Sequence, residues 1–181
     1  MGFWETWFRR GRTPVEQPPP PPRVMVHEAV LPETVQLLRE SRDERSAHEG
    51  VVYWAGKASD GFWVVTTVIA PKATTTWGSF ETSAAGNAEV IAFLARHGLE
   101  LLAQIHSHPG EGVGHSGGDD DGALMPYENY LSLIVPDYAR DGMLPLATCG
   151  VHRYEDGKFR RLEDAEVETG FLVLPTRQSF R

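Results

Sequence analysis

The chain has 181 residues, 41% of them hydrophobic, which predicts a single domain with an adequate core of its own. The formal net charge of −8 argues against a nucleic-acid-binding surface, for which basic stripes are expected. No apolar run approaches the roughly 20 residues of a membrane span, and no signal-peptide core is found. One cysteine, Cys149, excludes an internal disulfide, favours a cytoplasmic protein and is expected to be buried.

The first 23 residues differ in composition from the rest of the chain. Prolines occupy positions 18–22 and predict a stiff polyproline II spacer. The aromatic cluster before them, at residues 3–8, either docks on a partner or a membrane surface, or is a terminus without such a role. We therefore divide the chain into a tail, residues 1–23, and a domain, residues 24–181.

The first half of the domain predicts two helices and two strands. A helix is expected from Leu31 to about Ala47, because the proline at position 32 suits a first helical turn. Strands are predicted at about 50–56 and 61–70, joined by a turn. Residues 71–82, rich in Thr and Gly, are predicted to form a loop, and residues 83–97 a helix that ends at Gly98.

The sequence of the second half of the domain predicts mainly strands and little helix. A strand through 99–108 leads into a glycine-rich loop at 110–118 and a helical turn around 119–125. Further strands are predicted at 130–135, 144–155 and 158–162. The fold class is therefore α/β, with a mixed or antiparallel sheet flanked by helices in one domain.

Two histidines mark the end of the strand at 99–108. Successive side chains of a strand alternate between faces, so Gln104, His106 and His108 share one face. The opposite face is predicted to hold Leu101, Ala103, Ile105 and Ser107. Pro109 then ends the strand. Both imidazoles therefore point at one place.

Asp119 completes the ligand set of a catalytic zinc site. The loop between Gly110 and Gly118 contains five glycines and is expected to curl freely, which brings Asp119 back towards His106 and His108. Two imidazoles and a carboxylate leave a fourth position for water, as catalytic zinc requires. A shift of the ligand to Asp120 is the alternative. The intervening His115 is expected to be exposed to solvent.

A base and an oxyanion donor are also predicted. Glu49 stands at the start of an apolar strand, where a carboxylate rarely lies without a partner, and is the candidate base. The hydroxyl of Ser116, three residues before Asp119, is the candidate donor to the developing oxyanion. The alternatives are a helix end for Glu49 and a turn former for Ser116.

The pattern His106-x-His108-Pro109, six residues, Ser116-x-x-Asp119 resembles the JAMM motif of the JAB/MPN+ zinc metalloproteases, and Glu49 resembles their upstream glutamate. The similarity covers roughly residues 28–160. It implies the JAB/MPN, cytidine-deaminase-like fold, a twisted mixed sheet flanked by helices. It also implies Zn²⁺ on His106, His108 and Asp119, with Glu49 as general acid/base and Ser116 stabilising the tetrahedral intermediate.

By the same resemblance, the substrate is a ubiquitin-like protein or its conjugates, cleaved after the C-terminal glycine, and conjugation enzymes are possible partners. Small stand-alone members resemble bacterial proteins encoded beside such conjugation systems, including antiviral ones. The candidate groove for the substrate tail lies between residues 71–86 and 110–118. The alternatives are a peptidase that trims a ubiquitin-like sulfur carrier and a noncatalytic zinc-holding assembly module.

A rival motif overlaps the first one. Residues 114–118 fit the G-x-S-x-G pattern of the serine-hydrolase nucleophile elbow, with Ser116 as nucleophile. That elbow needs a strand directly before the serine and a helix directly after it. The preceding residues, 109–113, make a poor strand, so the metal site is the preferred interpretation.

Overall fold

One large sheet organises the molecule. The computed structural model describes residues 20–42 and 45–175, and of residues 120 and 121 it describes the backbone only. Most of the predicted tail, including its aromatic cluster, lies outside the described residues. The strands are β1 (Arg23–His27), β2 (Val51–Ser59), β3 (Phe62–Ile69), β4 (Ala73–Thr76), β5 (Ser79–Thr82), β6 (Glu100–Ser107), β7 (Leu131–Val135), β8 (Gly150–Glu155), β9 (Lys158–Arg161) and β10 (Phe171–Leu174).

Eight of these strands pair in the order β10-β1-β3-β2-β6-β7-β8-β9, and β4 and β5 form a separate hairpin. The pairs β1–β10, β1–β3 and β6–β7 are parallel and the others are antiparallel. The sheet is therefore mixed, as predicted. Within the described residues, four α-helices connect the strands: α1 (Val30–Glu40), α2 (Ala84–His97), α3 (Gly117–Asp121) and α4 (Asp164–Gly170).

The sheet is covered on both faces. On one face α1 and α4 contribute Leu31, Leu38 and Val167 to the larger apolar cluster, which also contains the buried Cys149. On the other face α2 contributes Val90 and Leu94 to a second cluster. No helix in the described part of the chain is both long and apolar enough to cross a membrane. The architecture is the predicted α/β domain with helices flanking its sheet.

The first helix is shorter than predicted. It ends at Glu40 rather than near Ala47, because Ser41 leaves the helical conformation with ψ 88°. Arg42 and Ala47 then form an isolated antiparallel bridge. The chain then passes close to the end of the helix at Gly50. A side chain would not fit there, because a Cβ added at Gly50 would lie 2.7 Å from the carbonyl oxygen of Leu38. This return delivers the chain to the start of β2.

Three further predictions were wrong in detail. Residues 71–82 are not a simple loop but carry the β4–β5 hairpin. The strand predicted at 144–155 begins only at Gly150, after a turn of 3-10 helix at Leu146–Thr148. The helical turn predicted around 119–125 is α3, which begins two residues earlier. The sequence analysis also missed β1, α4 and β10.

A bulge in β6 changes which side chains share a face. Trp54 pairs with Ala103 but Ala55 pairs with Leu101, so Leu102 is an extra residue opposite β2. Leu101 consequently packs in the α2-side cluster, whereas Ala103 and Ile105 pack in the α1-side cluster. The predicted grouping of Leu101 with Ala103 was therefore wrong. The alternation predicted for 104–108 lies beyond the bulge and is unaffected.

Candidate metal centre

Strand register places Glu49 beside the two histidines. In the antiparallel β2–β6 pair, Val51 lies opposite His106. Glu49 lies two residues before Val51 and His108 two residues after His106, so both lie just beyond the paired ends of β2 and β6. The junction is closed by two hydrogen bonds: Ser107 N–H donates to the carbonyl of Gly50 (3.0 Å), and Gly50 N–H donates to Ser107 Oγ (3.0 Å). The site thus forms where two central strands end.

Three potential ligand atoms converge at this point. His106, His108 and Asp119 each offer one atom, and these atoms all lie within 4.8 Å of one another. The two imidazole Nε2 atoms are 3.1 Å apart. Asp119 Oδ1 lies 3.2 Å from His106 Nε2, and Oδ2 lies 3.6 Å from His108 Nε2. Among the described residues this is the one such cluster of three or more His, Cys, Asp or Glu side chains.

Hydrogen bonds orient two of the three ligands. The Nδ1–H of His108 donates to the carbonyl of Gly112 (2.9 Å), which leaves Nε2 unprotonated in the neutral ring. The backbone N–H of Ser116 donates to Asp119 Oδ2 (2.6 Å). His106 has no such partner: its Nδ1 is buried without a hydrogen bond within the described structure.

The charges of the three groups are strongly coupled. Burial opposes ionisation of Asp119, yet the two imidazoles beside its oxygens and the N–H of Ser116 hold the pKa of its carboxyl far below the usual range. The neighbouring carboxylate of Asp119 raises the pKa of His108, and complete burial lowers the pKa of His106. The site therefore concentrates a carboxylate and two imidazoles in a mostly buried position.

The donor set fits a zinc ion. Zinc accepts imidazole nitrogen and carboxylate oxygen at about 2.0–2.2 Å in tetrahedral sites, which puts neighbouring ligand atoms about 3.3 Å apart. The separations of 3.1 Å between the imidazoles and 3.2 Å from His106 to Asp119 Oδ1 are close to that spacing, and Asp119 presents its other oxygen, Oδ2, to His108 at 3.6 Å. Three protein ligands, with a cavity beside them, are typical of a catalytic rather than a structural metal site.

Glu49 shares a cavity with two of these ligands, His108 and Asp119. The cavity has a volume of about 280 Å³ and is lined by Glu49, Gly78, Ser79, Phe80, His108, Ser116, Gly118, Asp119 and Gly122. Glu49 is only 6% exposed, and burial raises the pKa of its carboxyl; nearby His108 opposes this shift and Asp119 adds to it. Its backbone is fixed by a hydrogen bond from its N–H to the carbonyl of Thr76 (2.8 Å). A carboxylate held there can accept a proton inside the cavity.

Ser116 lies at the start of α3 and faces the same cavity. Its Oγ accepts a hydrogen bond from the N–H of Asp119 (3.3 Å), and with the Ser116 N–H bond to Asp119 this forms a capping box. The hydroxyl proton is left to donate elsewhere. No strand directly precedes Ser116, and α3 has only five residues. The strand–turn–helix of a nucleophile elbow is therefore not formed here.

The loop between the histidines and Ser116 is pinned, contrary to the expectation that it curls freely. Tyr138 N–H donates to the carbonyl of His108 (2.8 Å), and Asp137 N–H donates to that of Gly110 (3.1 Å). Val113 packs so tightly on Gly150 that a Cβ there would overlap its carbonyl oxygen. These contacts fix the position from which α3 delivers Asp119.

His115 is a second anchor of this loop, and the prediction that it is exposed was wrong. It is half-buried, and its Nε2 lies 2.8 Å from Ser132 Oγ on β7. Its ring packs against His152 (centroids 4.3 Å apart) and Phe159 (4.6 Å). These partners lie on three different strands, β7, β8 and β9. They are distant from His115 along the chain, so its burial could not be predicted from the residues around it.

The β4–β5 hairpin supplies residues that the sequence analysis did not find. Phe80 lies 5.2 Å from His106, ring centroid to centroid, and it lines the cavity with Gly78 and Ser79. The tip is tied down by Tyr138, whose hydroxyl donates to the carbonyl of Trp77 (2.6 Å). The hairpin and α3 thus form opposite walls of the cavity.

Comparison with known proteins agrees with this site. No protein-family model matches the chain. Protein DSY2949 of Desulfitobacterium hafniense has a similar fold, with a TM-score of 0.63 at 14% identity over 84% of this chain and 93% of that one. The probable metalloprotease y4jG of Sinorhizobium fredii is 36% identical over 112 residues, which are 60% of this chain and 68% of that protein. By this identity and coverage, the chain belongs to the family of that probable metalloprotease.

Proposed function

We propose that this protein is a zinc-dependent peptidase of the JAMM type, built on the JAB/MPN fold in residues 24–181, with residues 1–23 as a tail. The observation that carries the proposal is the convergence of His106, His108 and Asp119, two of which, His108 and Asp119, line one cavity with the buried Glu49. The similarity to a probable metalloprotease supports the same reaction class.

In this proposal each side chain has a defined task. His106, His108 and Asp119 hold the zinc ion, which supplies Lewis acidity for the scissile carbonyl and lowers the pKa of water. Glu49 takes a proton from the attacking water and returns it to the leaving amine. Ser116 donates its hydroxyl proton to the oxygen that becomes negative in the transition state. A module that only held zinc would have no use for a buried carboxylate beside it, so Glu49 favours the enzyme.

We infer a polypeptide substrate whose extended C-terminal segment enters between the hairpin and α3. The lining contains three glycines, Gly78, Gly118 and Gly122, and the cavity of about 280 Å³ is small, which favours small residues at the cleaved bond. A ubiquitin-like protein ending in glycine meets this requirement. Its deconjugation or processing, including in a bacterial antiviral conjugation system, is the function that we assign to the site.

The test is cleavage of a ubiquitin-like protein that carries a C-terminal peptide, measured with and without a chelator. Glu49→Ala is expected to abolish turnover while the protein still binds zinc, because the ligands remain. His106→Ala is expected to lose zinc and activity together. Glu33→Ala is the matched control: it removes an exposed carboxylate from α1, on the far face of the sheet, and should leave both unchanged.

The three outcomes separate the roles. Chelator-sensitive cleavage after the terminal glycine, lost in Glu49→Ala, supports the complete proposal. Full zinc occupancy in His106→Ala overturns the ligand assignment. Retained turnover in Glu49→Ala overturns the assignment of the base.

A further inference from the structure

A buried glutamine lies directly behind the ligand His106. Gln104 is on β6, two residues before His106, and its side chain has no exposure to solvent. Neither its amide nitrogen nor its amide oxygen has a hydrogen-bond partner within the described structure. An unpaired buried polar group destabilises the folded protein, so a glutamine in this position indicates a role other than packing.

His106 also has a buried ring nitrogen without a hydrogen-bond partner. Its Nε2 faces His108 and Asp119, whereas its Nδ1 is buried without a partner. Histidines that bind a metal almost always donate their second ring N–H to an oxygen, as His108 does to Gly112. Without an acceptor, the proton of a neutral His106 can occupy either nitrogen. Occupation of Nε2 would block its use as a ligand.

The two unpaired groups lie on the same face of one strand. Side chains two residues apart project in the same direction, with Cα atoms about 6.6 Å apart. An extended glutamine spans most of that distance. The neighbouring strands present Tyr53 and Ser132 opposite Gln104, so the amide is enclosed on both sides by strands and cannot turn to solvent.

We propose that Gln104 is a positioning residue for the metal site. Neither group has a direct hydrogen bond within the described structure, so one buried water accepts the Nδ1–H of His106 and donates to the amide oxygen of Gln104. This water-mediated hydrogen bond keeps the proton on Nδ1 and leaves Nε2 free towards His108 and Asp119. The inference deepens the proposed function, since it assigns an orienting partner to one of its metal ligands.

The test compares Gln104→Met, which removes both polar atoms at similar length, with Gln104→Glu, which keeps an acceptor. The first readout is the tautomer of His106 in the metal-free protein, from long-range nitrogen–proton NMR correlations of its ring. We expect a larger fraction of Nδ1–H in the wild type and in Gln104→Glu than in Gln104→Met, where the Asp119 carboxylate, 3.2 Å from Nε2, competes for the proton without opposition. The second readout is zinc affinity by competition with a chromophoric chelator, expected to be about 10–100-fold weaker in Gln104→Met.

Tyr130→Phe is the matched control. Tyr130 is fully buried in the same α2-side region and its hydroxyl also lacks a partner within the described residues, so the variant removes an unpaired polar atom without touching His106. We expect wild-type tautomer and zinc affinity in it. An unchanged tautomer and unchanged affinity in Gln104→Met would overturn the inference. If the wild type takes up no zinc, the proposed function fails instead, and the tautomer still tests Gln104.

Discussion

At the scale of single residues, Asp119 connects all parts of the site. Its carboxylate contacts His106 and His108, and the same carboxylate accepts the backbone N–H of Ser116. Its own N–H is bonded to the Ser116 hydroxyl. Ser116 therefore has two separable tasks: it caps α3, which positions Asp119, and it presents a hydroxyl to the cavity.

Replacing Ser116 by alanine should affect catalysis far more than zinc binding. Loss of an oxyanion donor typically lowers kcat about 10²–10³-fold. Loss of the N-cap should lower the free energy of unfolding by about 0.5–2 kcal/mol. Both are measured on one preparation, by peptide cleavage and by urea unfolding of the zinc-loaded protein. Ser116→Thr, which keeps a hydroxyl and a capping oxygen, is the control.

The proposed donor role is contradicted if Ser116→Ala and Ser116→Thr have the same kcat. A loss of kcat in both variants, with zinc still bound, would point instead to the shape of the cavity wall.

At the scale of elements, the site depends on how the loop from His108 to Ser116 is held against the sheet. Strand β6 fixes the two histidines by its register, but Asp119 reaches them only through this loop. The loop is fixed by main-chain hydrogen bonds from 137–138, by the contact of Val113 with Gly150, and by His115. The aspartate is therefore positioned by packing against β7, β8 and β9.

Gly150→Ala should displace this loop. The added methyl group has no room beneath the carbonyl of Val113, and overpacking of this kind costs typically 1–3 kcal/mol. We expect a lower midpoint of thermal unfolding and weaker zinc binding, because the displacement is transmitted to Asp119. Chelator competition and thermal denaturation measure the two effects.

Gly110→Ala is the matched control within the same loop. A Cβ at that position meets nothing within 4 Å, and its backbone has no positive φ. Wild-type zinc affinity is expected there. Equal effects of the two alanines would show that the Val113–Gly150 contact does not position Asp119.

At the scale of the whole molecule, the region behind the site is unusually polar for an interior. Gln104, Ser132 and His152 are buried and lie opposite one another across β6, β7 and β8. Burial, with the nearby His115 as a smaller contribution, lowers the pKa of His152 to about 4. The unfolded chain, with an ordinary histidine, takes up this proton near pH 6.5.

This difference predicts acid sensitivity of the fold. Between about pH 6.5 and pH 4 the unfolded chain binds a proton at residue 152 that the folded protein does not. The free energy of unfolding therefore falls as the pH falls, by at most about 1.4 kcal/mol per pH unit for this one group. His152→Gln should reduce that slope, measured by urea unfolding of the metal-free protein at pH 5 and pH 7.

Two other histidines also change the free energy of unfolding near this pH range: His106, whose pKa is lowered by burial, adds to the slope, and His108, whose pKa is raised beside Asp119, opposes it. The informative quantity is therefore the difference in slope between wild type and variant. His97→Gln, which removes an exposed histidine at the end of α2, is the control and should keep the wild-type slope. Parallel slopes for wild type and His152→Gln would contradict the prediction.

The placement of the metal ligands could be predicted from the sequence, but the residues that form the walls of the cavity could not. The two-residue period of a strand was enough to place His106 and His108 on one face, and Ser83 and Gly98 marked the ends of α2 within a residue. The threonine-rich β4–β5 segment has no alternating apolar pattern, because one side of the hairpin covers a polar cavity rather than the core. The anchors of the loop, Gly150 and Phe159, lie far from it along the chain, and only the paired strands bring them near.

The hairpin tip has a practical consequence for spectroscopy. Trp77 is 70% exposed next to the cavity, while Trp54 and Trp63 are buried in the core. Trp4 and Trp7, outside the described residues, are first changed to phenylalanine. The indole of Trp77 should then account for the long-wavelength part of the tryptophan emission that acrylamide can quench. A polypeptide that enters beside Gly78 would shield this indole from acrylamide. The protein thus contains its own optical reporter of occupancy, which can be titrated even with an uncleavable peptide in the Glu49→Ala background.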